Sequence, residues 1–240
     1  MKNAIRNNAI RNVDDNIYLN EDRYENPKDI SKFLVGLFEK SFRSKQSCCV
    51  LDIGCAAGEF LYYMRKMYPA FGYYGIDVSG KLIEKANVKV KGVSFKTHSI
   101  LEPPYFDGKK FDAVFCSAVT PIFDDIENVI KCILTATKPG SRVYINSVFN
   151  PYPVDALILY RTNPDEPWQR GQNRISQKTV NEILEPIVTS YTWHVHKMPF
   201  GLPKQEDLMR GWTMKTEDDP YQRVNGIGLI YDASIVEIVI

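Results

Sequence analysis

The stretch Val50-Leu51-Asp52-Ile53-Gly54-Cys55-Ala56-Ala57-Gly58-Glu59-Phe60 constrains the fold more than any other. An apolar run of strand length ends in Asp and Gly, passes through small residues and opens into a helical pattern. Small residues let a ligand approach the backbone, and the start of the helix offers it unpaired N–H groups. A fully apolar strand that leads directly into a helix predicts a buried parallel sheet with crossover helices.

The next hundred residues keep that rhythm. Strands are predicted over 47–53, 72–77, 93–98, 111–117 and 142–149, the last after a turn at Lys138-Pro139-Gly140. Helices are predicted over 59–68, stopped by Pro69, then from Ser79 as a cap, and from Asp124 or Asp125. Upstream, Asn26-Pro27 reads as a helix start, with Ile30, Phe33, Leu34, Leu37 and Phe38 at amphipathic spacing. After Asn150 the alternation breaks into a proline-rich insertion over about 150–175, expected on the substrate side. A helix over 176–188 and strands over 192–198 and 235–240 complete the pattern. No linker rich in Gly or Ser divides the chain, so the expectation is a flexible arm over 1–25 and one α/β domain over 26–240.

Charge narrows the partners. Thirty basic and 29 acidic residues leave a formal net charge of +1, without the basic surplus that nucleic-acid binding calls for. The five cysteines are odd in number and lack metal-ligand spacing, which predicts reduced thiols and no metal. No apolar run follows Met1, and none reaches the ~20 residues of a membrane helix, so a cytoplasmic protein without a membrane partner is expected.

The ligand of the small-residue turn can be narrowed by elimination. A dinucleotide fingerprint needs Gly at 54, 56 and 59, where this chain has Gly54, Ala56 and Glu59. A carboxylate about 4 Å from a pyrophosphate charge costs on the order of 4 kcal/mol at an effective dielectric of ~20. A nucleoside without a pyrophosphate escapes that clash. Asp77 ends the second predicted strand, where a carboxylate can accept hydrogen bonds from ribose hydroxyls.

These two stretches, 50–58 and Tyr73-Tyr74-Gly75-Ile76-Asp77-Val78-Ser79, closely resemble motifs I and II of class I S-adenosylmethionine-dependent methyltransferases. The family's first motif commonly reads Leu-Asp-Ile-Gly-Cys-Gly-x-Gly; here Ala56 replaces the middle glycine, which suits the turn if its φ is negative. Phe111-Asp112-Ala113-Val114-Phe115-Cys116 resembles the family's fourth strand and Lys138-Pro139-Gly140 the turn before its fifth, so the likeness spans about 47–149. It implies a Rossmann-like fold: a mostly parallel seven-stranded sheet, helices on both faces and an antiparallel last strand. It also implies S-adenosyl-L-methionine as cofactor. Asp52, Gly54, Cys55, Ala56 and Gly58 would surround the methionine moiety, with Asp77 on the ribose and Val78 against the adenine. Ser99 and Ile100 would flank the adenine edge, where the family often has an Asp. Ser117 and Ala118 would face the amino end and the methyl group.

The acceptor side is less marked. Glu102-Pro103-Pro104-Tyr105 resembles the Asp/Asn-Pro-Pro-Tyr motif of amino-group methyltransferases but precedes the fourth strand, so it reads as a stiffened loop. His194 and His196 alternate on a strand, share a face, and with Tyr24 are the candidates for a catalytic base. Tyr18, Tyr152, Trp168 and Trp212 are candidates for the acceptor pocket. So are Arg161, Arg170, Arg174 and Arg210, because arginine pairs two-pronged with phosphate or carboxylate. Gly211-Trp212-Thr213 and Val224-Asn225-Gly226-Ile227-Gly228-Leu229 resemble small methyltransferases of bacterial surface-polysaccharide clusters. That likeness implies O-methylation of a small-molecule or carbohydrate-linked acceptor, phosphate and phosphoramidate groups included. A catalytically inactive S-adenosylmethionine-binding protein and a nucleic-acid methyltransferase are the alternatives.

Overall fold

A computed structural model describes residues 15–204 and 210–240. Its helices are α1 (Asp15–Asn20), α2 (Asp29–Phe42), α3 (Glu59–Met67), α4 (Gly80–Lys89), α5 (Ile126–Leu134) and α6 (Gln177–Leu184). Its strands begin with β1 (Cys49–Ile53), β2 (Gly72–Asp77), β3 (Ser94–Thr97), β4 (Phe111–Ser117), β5 (Thr137–Ser147), β6 (Leu159–Tyr160) and β7 (Gln169–Arg170). They continue with β8 (Ser190–His196), β9 (Trp212–Met214), β10 (Gln222–Val224), β11 (Ile230–Tyr231) and β12 (Ala233–Val239).

Seven strands form one sheet in the order β3-β2-β1-β4-β5-β12-β8. The first five run parallel, and β12 runs antiparallel to both of its neighbours. Alternation along each strand builds two cores. Leu51, Ile53, Val114, Cys116, Val143, Ile145, Val236 and Ile238 face α5 and α6. Val50, Ala113, Phe115, Tyr144 and Ile235 face α2 and α3. In that second core Phe38 is fully buried and Phe115 stacks on Tyr144 at 4.9 Å between ring centroids. Each such side chain stabilises the fold by roughly 1.5–3 kcal/mol through burial. Helices therefore cover both faces, as the family resemblance implies.

Some local expectations are corrected. The turn foreseen at Lys138-Pro139-Gly140 is a bulge inside β5, with Gly140 at φ +83° and a register shift between Phe111 and Ala113 of β4. Helix α2 starts at Asp29 rather than at Asn26-Pro27. Its cap, Lys28, has an extended backbone and makes no side-chain capping bond. The arm expected over 1–25 lies partly outside the described residues, but 15–25 are fastened. Lys85 Nζ donates to the carbonyls of Tyr18, Leu19 and Glu21 at 3.1, 3.0 and 2.6 Å, a cation satisfying the end of α1.

The insertion over 150–175 is pinned to the loop that follows β4. Asn173 donates through its backbone to the Pro121 carbonyl at 2.7 Å and through its side chain to Phe123 and Asp124. Further on, β9, β10 and β11 form a separate antiparallel sheet that the sequence pattern did not reveal.

Candidate active site

Strand order reverses between β1 and β4, and ligands of open α/β sheets sit beyond the carboxyl ends of strands at such a point. A cavity of about 890 Å³ lies there. Asp52, Gly54, Cys55, Ala56, Asp77, Val78, Ser99, Ile100, Ser117 and Ala118 all stand on its wall. Thus every residue assigned to the cofactor except Gly58 is brought to one cavity.

Gly58 serves the turn from behind. Its φ is +79°, and a Cβ there would sit 2.7 Å from Phe95 Cζ. Gly54 is required on the other side, because a Cβ would meet Val119 Cγ2, in the loop after β4, at 2.2 Å. Ala56 departs from expectation: its φ is +46°, not negative. That left-handed conformation strains a residue with a Cβ by about 1–2 kcal/mol, and Ala118, which follows β4 and lines the same cavity, is also left-handed at φ +59°. Backbone strain of this kind persists where the surroundings over-determine it, and it gathers at functional sites.

One carboxylate organises the turn and a second lies within reach of its charge. Asp77 Oδ2 accepts the Ala56 N–H and Oδ1 the Ser79 N–H, each at 2.9 Å. Asp52 is only 4% exposed; burial, and then the charge of Asp77, push its carboxyl up to about 7. On β5, Asn146 Nδ2 donates to Ser117 Oγ at 2.8 Å, while its buried Oδ1 has no hydrogen-bond partner. An orphaned acceptor in a cavity wall is a place for a ligand's donor group. Tyr105, from the stiffened loop, donates to the Ile100 carbonyl at 2.5 Å and so props the Ser99–Ile100 wall.

The catalytic candidates separate. Tyr24 is buried and donates to the Ala57 carbonyl at 2.9 Å, and its hydroxyl is pushed up to about 12 by burial and by Glu59 and Asp22. It is a strut for the turn. His194 pairs with Glu237 at 2.9 Å and stands away from the cavity wall. His196 is on the wall, with Nε2 against Asp29 Oδ2 and Nδ1 against an Arg223 nitrogen, both at 2.8 Å.

Of the acceptor candidates, only Tyr18 lines the cavity. Tyr152 is exposed, Arg161 lies over the Trp168 ring and donates to the Pro164 carbonyl, and Arg170 pairs with Asp124. Arg174 donates to the carbonyls of Val148 and Ile230, and Trp212 lies under Lys204; Arg210 is likewise absent from the wall. Arg161 and Arg170 hold the insertion to itself and to the loop after β4, and Arg174 ties it to Val148 and Ile230. The same cavity wall also carries His196, Met198, Phe200, Leu202, Arg223 and Tyr231. Sequence reasoning missed Arg223 and Tyr231, because three short strands with polar spacers carry little periodicity. The one available signal was the glycine-punctuated run Asn225–Leu229, which turns β10 back into β11.

This sheet order, with a nucleoside-sized cavity at the reversal and two carboxylates under a small-residue turn, defines a class I methyltransferase architecture. Residues 44–188 match the model of a family described as "Methyltransferase domain", and the chain belongs to that family. Among curated proteins, the chain is similar to the tRNA U34 carboxymethyltransferase of Nautilia profundicola, 29% identical over 103 residues, covering 41% of this chain and 34% of that one. The chain spans only 19–48% of the length of the curated relatives it matches. Among solved structures, the Bacillus subtilis YcgJ protein superposes with a TM-score of 0.56 at 16% identity, over 87% of this chain and 98% of that one. The plantazolicin methyltransferase BpumL, solved with a desmethylplantazolicin analogue and S-adenosylhomocysteine (SAH), gives 0.54 at 15% identity, over 88% and 84%. These likenesses are in fold. Among the described residues no helix is long and apolar enough to cross a membrane.

Proposed function

We propose that the chain is an S-adenosylmethionine-dependent methyltransferase that acts on a small-molecule acceptor. The observation that carries this reading is that one cavity is lined both by Asp77, Ala56 and Ser117 and by His196, Arg223 and Tyr231. A donor nucleoside and an acceptor fit end to end in such a space, within the size range of small-molecule sites.

The residues fit the donor. Asp77, whose oxygens hold the turn, stands on the cavity wall at the end of β2, where a carboxylate can accept from ribose hydroxyls. Val78, Ser99, Ile100 and Leu101 supply a slot for the base. The Asp52 carboxylate and the orphaned Asn146 Oδ1 suit an ammonium group. When bound, S-adenosylmethionine supplies an electrophilic methyl group on a sulfonium. The work left to the chain is alignment of donor and acceptor and exclusion of water. Glu59, whose Oε1 accepts the Arg23 N–H at 2.8 Å, keeps a negative charge at the mouth of α3, which disfavours a dinucleotide pyrophosphate.

A carbohydrate-linked acceptor from surface-polysaccharide biosynthesis is the finer reading. It rests on residues 211–229, whose strands β9 and β10 carry Arg223 to the acceptor end. The near-neutral charge favours a small molecule over a nucleic acid. Titration calorimetry tests the donor half: S-adenosylhomocysteine is expected to bind and NAD to give no heat. A folded protein silent to S-adenosylhomocysteine sinks the reading.

A further inference from the structure

The acceptor end of the cavity holds a cation whose direct partner is not an acid. Arg223 projects from β10 to the cavity wall, and its Nη2 meets Nδ1 of His196 at 2.8 Å. Its Nε is buried and has no hydrogen-bond partner. The acid of this chain of contacts, Asp29, is one residue further on, paired with the other ring nitrogen of His196 at 2.8 Å. Arginine stays protonated and can only donate, so Nδ1 of His196 is the acceptor and Nε2–H donates to Asp29. Both imidazole nitrogens are thereby engaged, and the ring aims the guanidinium.

Burial acts against the Arg223 charge more than Tyr231, Asp232 and Asp29 act for it. A desolvated guanidinium with an unfilled donor is the arrangement that recognises an anion. The same wall carries apolar side chains as well, Met198, Phe200 and Leu202 among them. Of the three candidate bases, His194 is off the wall, His196 is tied at both nitrogens and the Tyr24 hydroxyl serves Ala57. An acceptor oxygen that is already anionic needs none, and it is attracted to a sulfonium.

We propose that Arg223, positioned by His196 and Asp29, anchors the acceptor through an anionic oxygen group, carboxylate or phosphate, carried on an apolar body. The proposal rests on the methyltransferase reading of the cavity. It differs from the arginines picked out by sequence, all of which lie off the wall.

The test uses the full chain saturated with S-adenosylhomocysteine and titrates phenylacetate, phenyl phosphate and the neutral isostere phenylacetamide. At least one anion is expected to bind about tenfold or more tightly than the amide. Whichever anion is preferred identifies the group. Arg223→Gln is expected to bring anion and amide within about twofold of each other, and Arg223→Lys to keep part of the preference, because the charge stays and the planar fork is lost. His196→Gln is expected to weaken anion binding alone. S-adenosylhomocysteine affinity, unchanged within about twofold in each variant, shows that the fold and the donor end are intact. Equal binding of anion and amide, no binding of either anion, or an Arg223→Gln protein that keeps the preference overturns the proposal. Failure of the wild-type chain to bind S-adenosylhomocysteine overturns the methyltransferase reading instead, so the two failures are distinct.

Discussion

Asp77 and Ala56 are joined by a hydrogen bond of 2.9 Å from the Ala56 N–H to Asp77 Oδ2, which ties the turn after β1 to the end of β2. The carboxylate proposed to hold the ribose is thus also the one that fixes the shape of the turn. Ligand affinity and turn geometry are coupled through a single side chain.

Replacing it separates that pair of roles from simple capping. Asp77→Ala removes both backbone contacts and the ribose acceptors, each a charge-assisted bond worth about 1.5–3 kcal/mol. S-adenosylhomocysteine affinity is expected to fall about 100-fold or more by calorimetry. Asp77→Asn keeps one carbonyl acceptor and is expected to fall between that variant and the wild type. A turn-capping role alone predicts a lower melting temperature and only the few-fold loss of affinity that a loosened turn brings.

The left-handed Ala56 yields a prediction of opposite sign. Ala56→Gly relieves about 1–2 kcal/mol of steric cost and gives back about 0.4–1 kcal/mol through unfolded-chain entropy. The variant is expected to be more stable, its melting point rising by roughly 1–3 °C. Gly58→Ala is the counterpart, with φ +79° and a Cβ placed 2.7 Å from Phe95 Cζ. It is expected to lose about 2–4 kcal/mol. Thermal unfolding of both variants checks the pair, and a destabilised Ala56→Gly protein contradicts the strain.

What the sequence revealed divides along a physical line. Strands β1, β2 and β4, the capping role of Ser79, and the residues of the small-residue turn come from local patterns: apolar runs, a cap and a glycine turn. Two of the strand predictions, Gly72–Asp77 and Phe111–Ser117, match to the residue. The acceptor end comes from tertiary placement. Arg223 reaches the cavity because β10 pairs with β9 and β11 far along the chain, and Asp29 meets His196 across 167 positions. The arginines of 150–175 looked available because their partners, Asp124 and the carbonyls of Val148, Pro164 and Ile230, are invisible to residue type.

Tyr24 offers a test of strut against base. Tyr24→Phe deletes the hydroxyl that satisfies the Ala57 carbonyl. It is expected to lower stability by about 1–2 kcal/mol and to weaken S-adenosylhomocysteine binding a few-fold through the loosened turn. The pH profile of methyl transfer, once an acceptor is in hand, is expected to keep its shape. A limb that disappears from that profile in Tyr24→Phe assigns the hydroxyl to proton transfer.

Asp52 makes the donor site pH-sensitive. Its carboxyl is pushed up from 3.8 to about 7 by burial and then by Asp77. A folded-state pKa above the unfolded one means that the folded chain binds the extra proton between those values. The stabilisation is therefore complete below about pH 4 and is lost as pH rises through 7, a total on the order of 2–4 kcal/mol. Asp52→Asn is expected to remove that slope and to be the more stable protein at pH 8 without ligand. An ammonium beside the carboxylate reverses the preference and holds Asp52 charged. Binding of S-adenosylhomocysteine near pH 6 is then expected to release close to one proton, and affinity to fall about tenfold per unit below pH 7. Calorimetry in buffers of different ionisation enthalpy reads the released proton directly. Asp52→Asn should bind more weakly and with no such release; a wild-type titration without proton release at pH 6 removes Asp52 from the ammonium site.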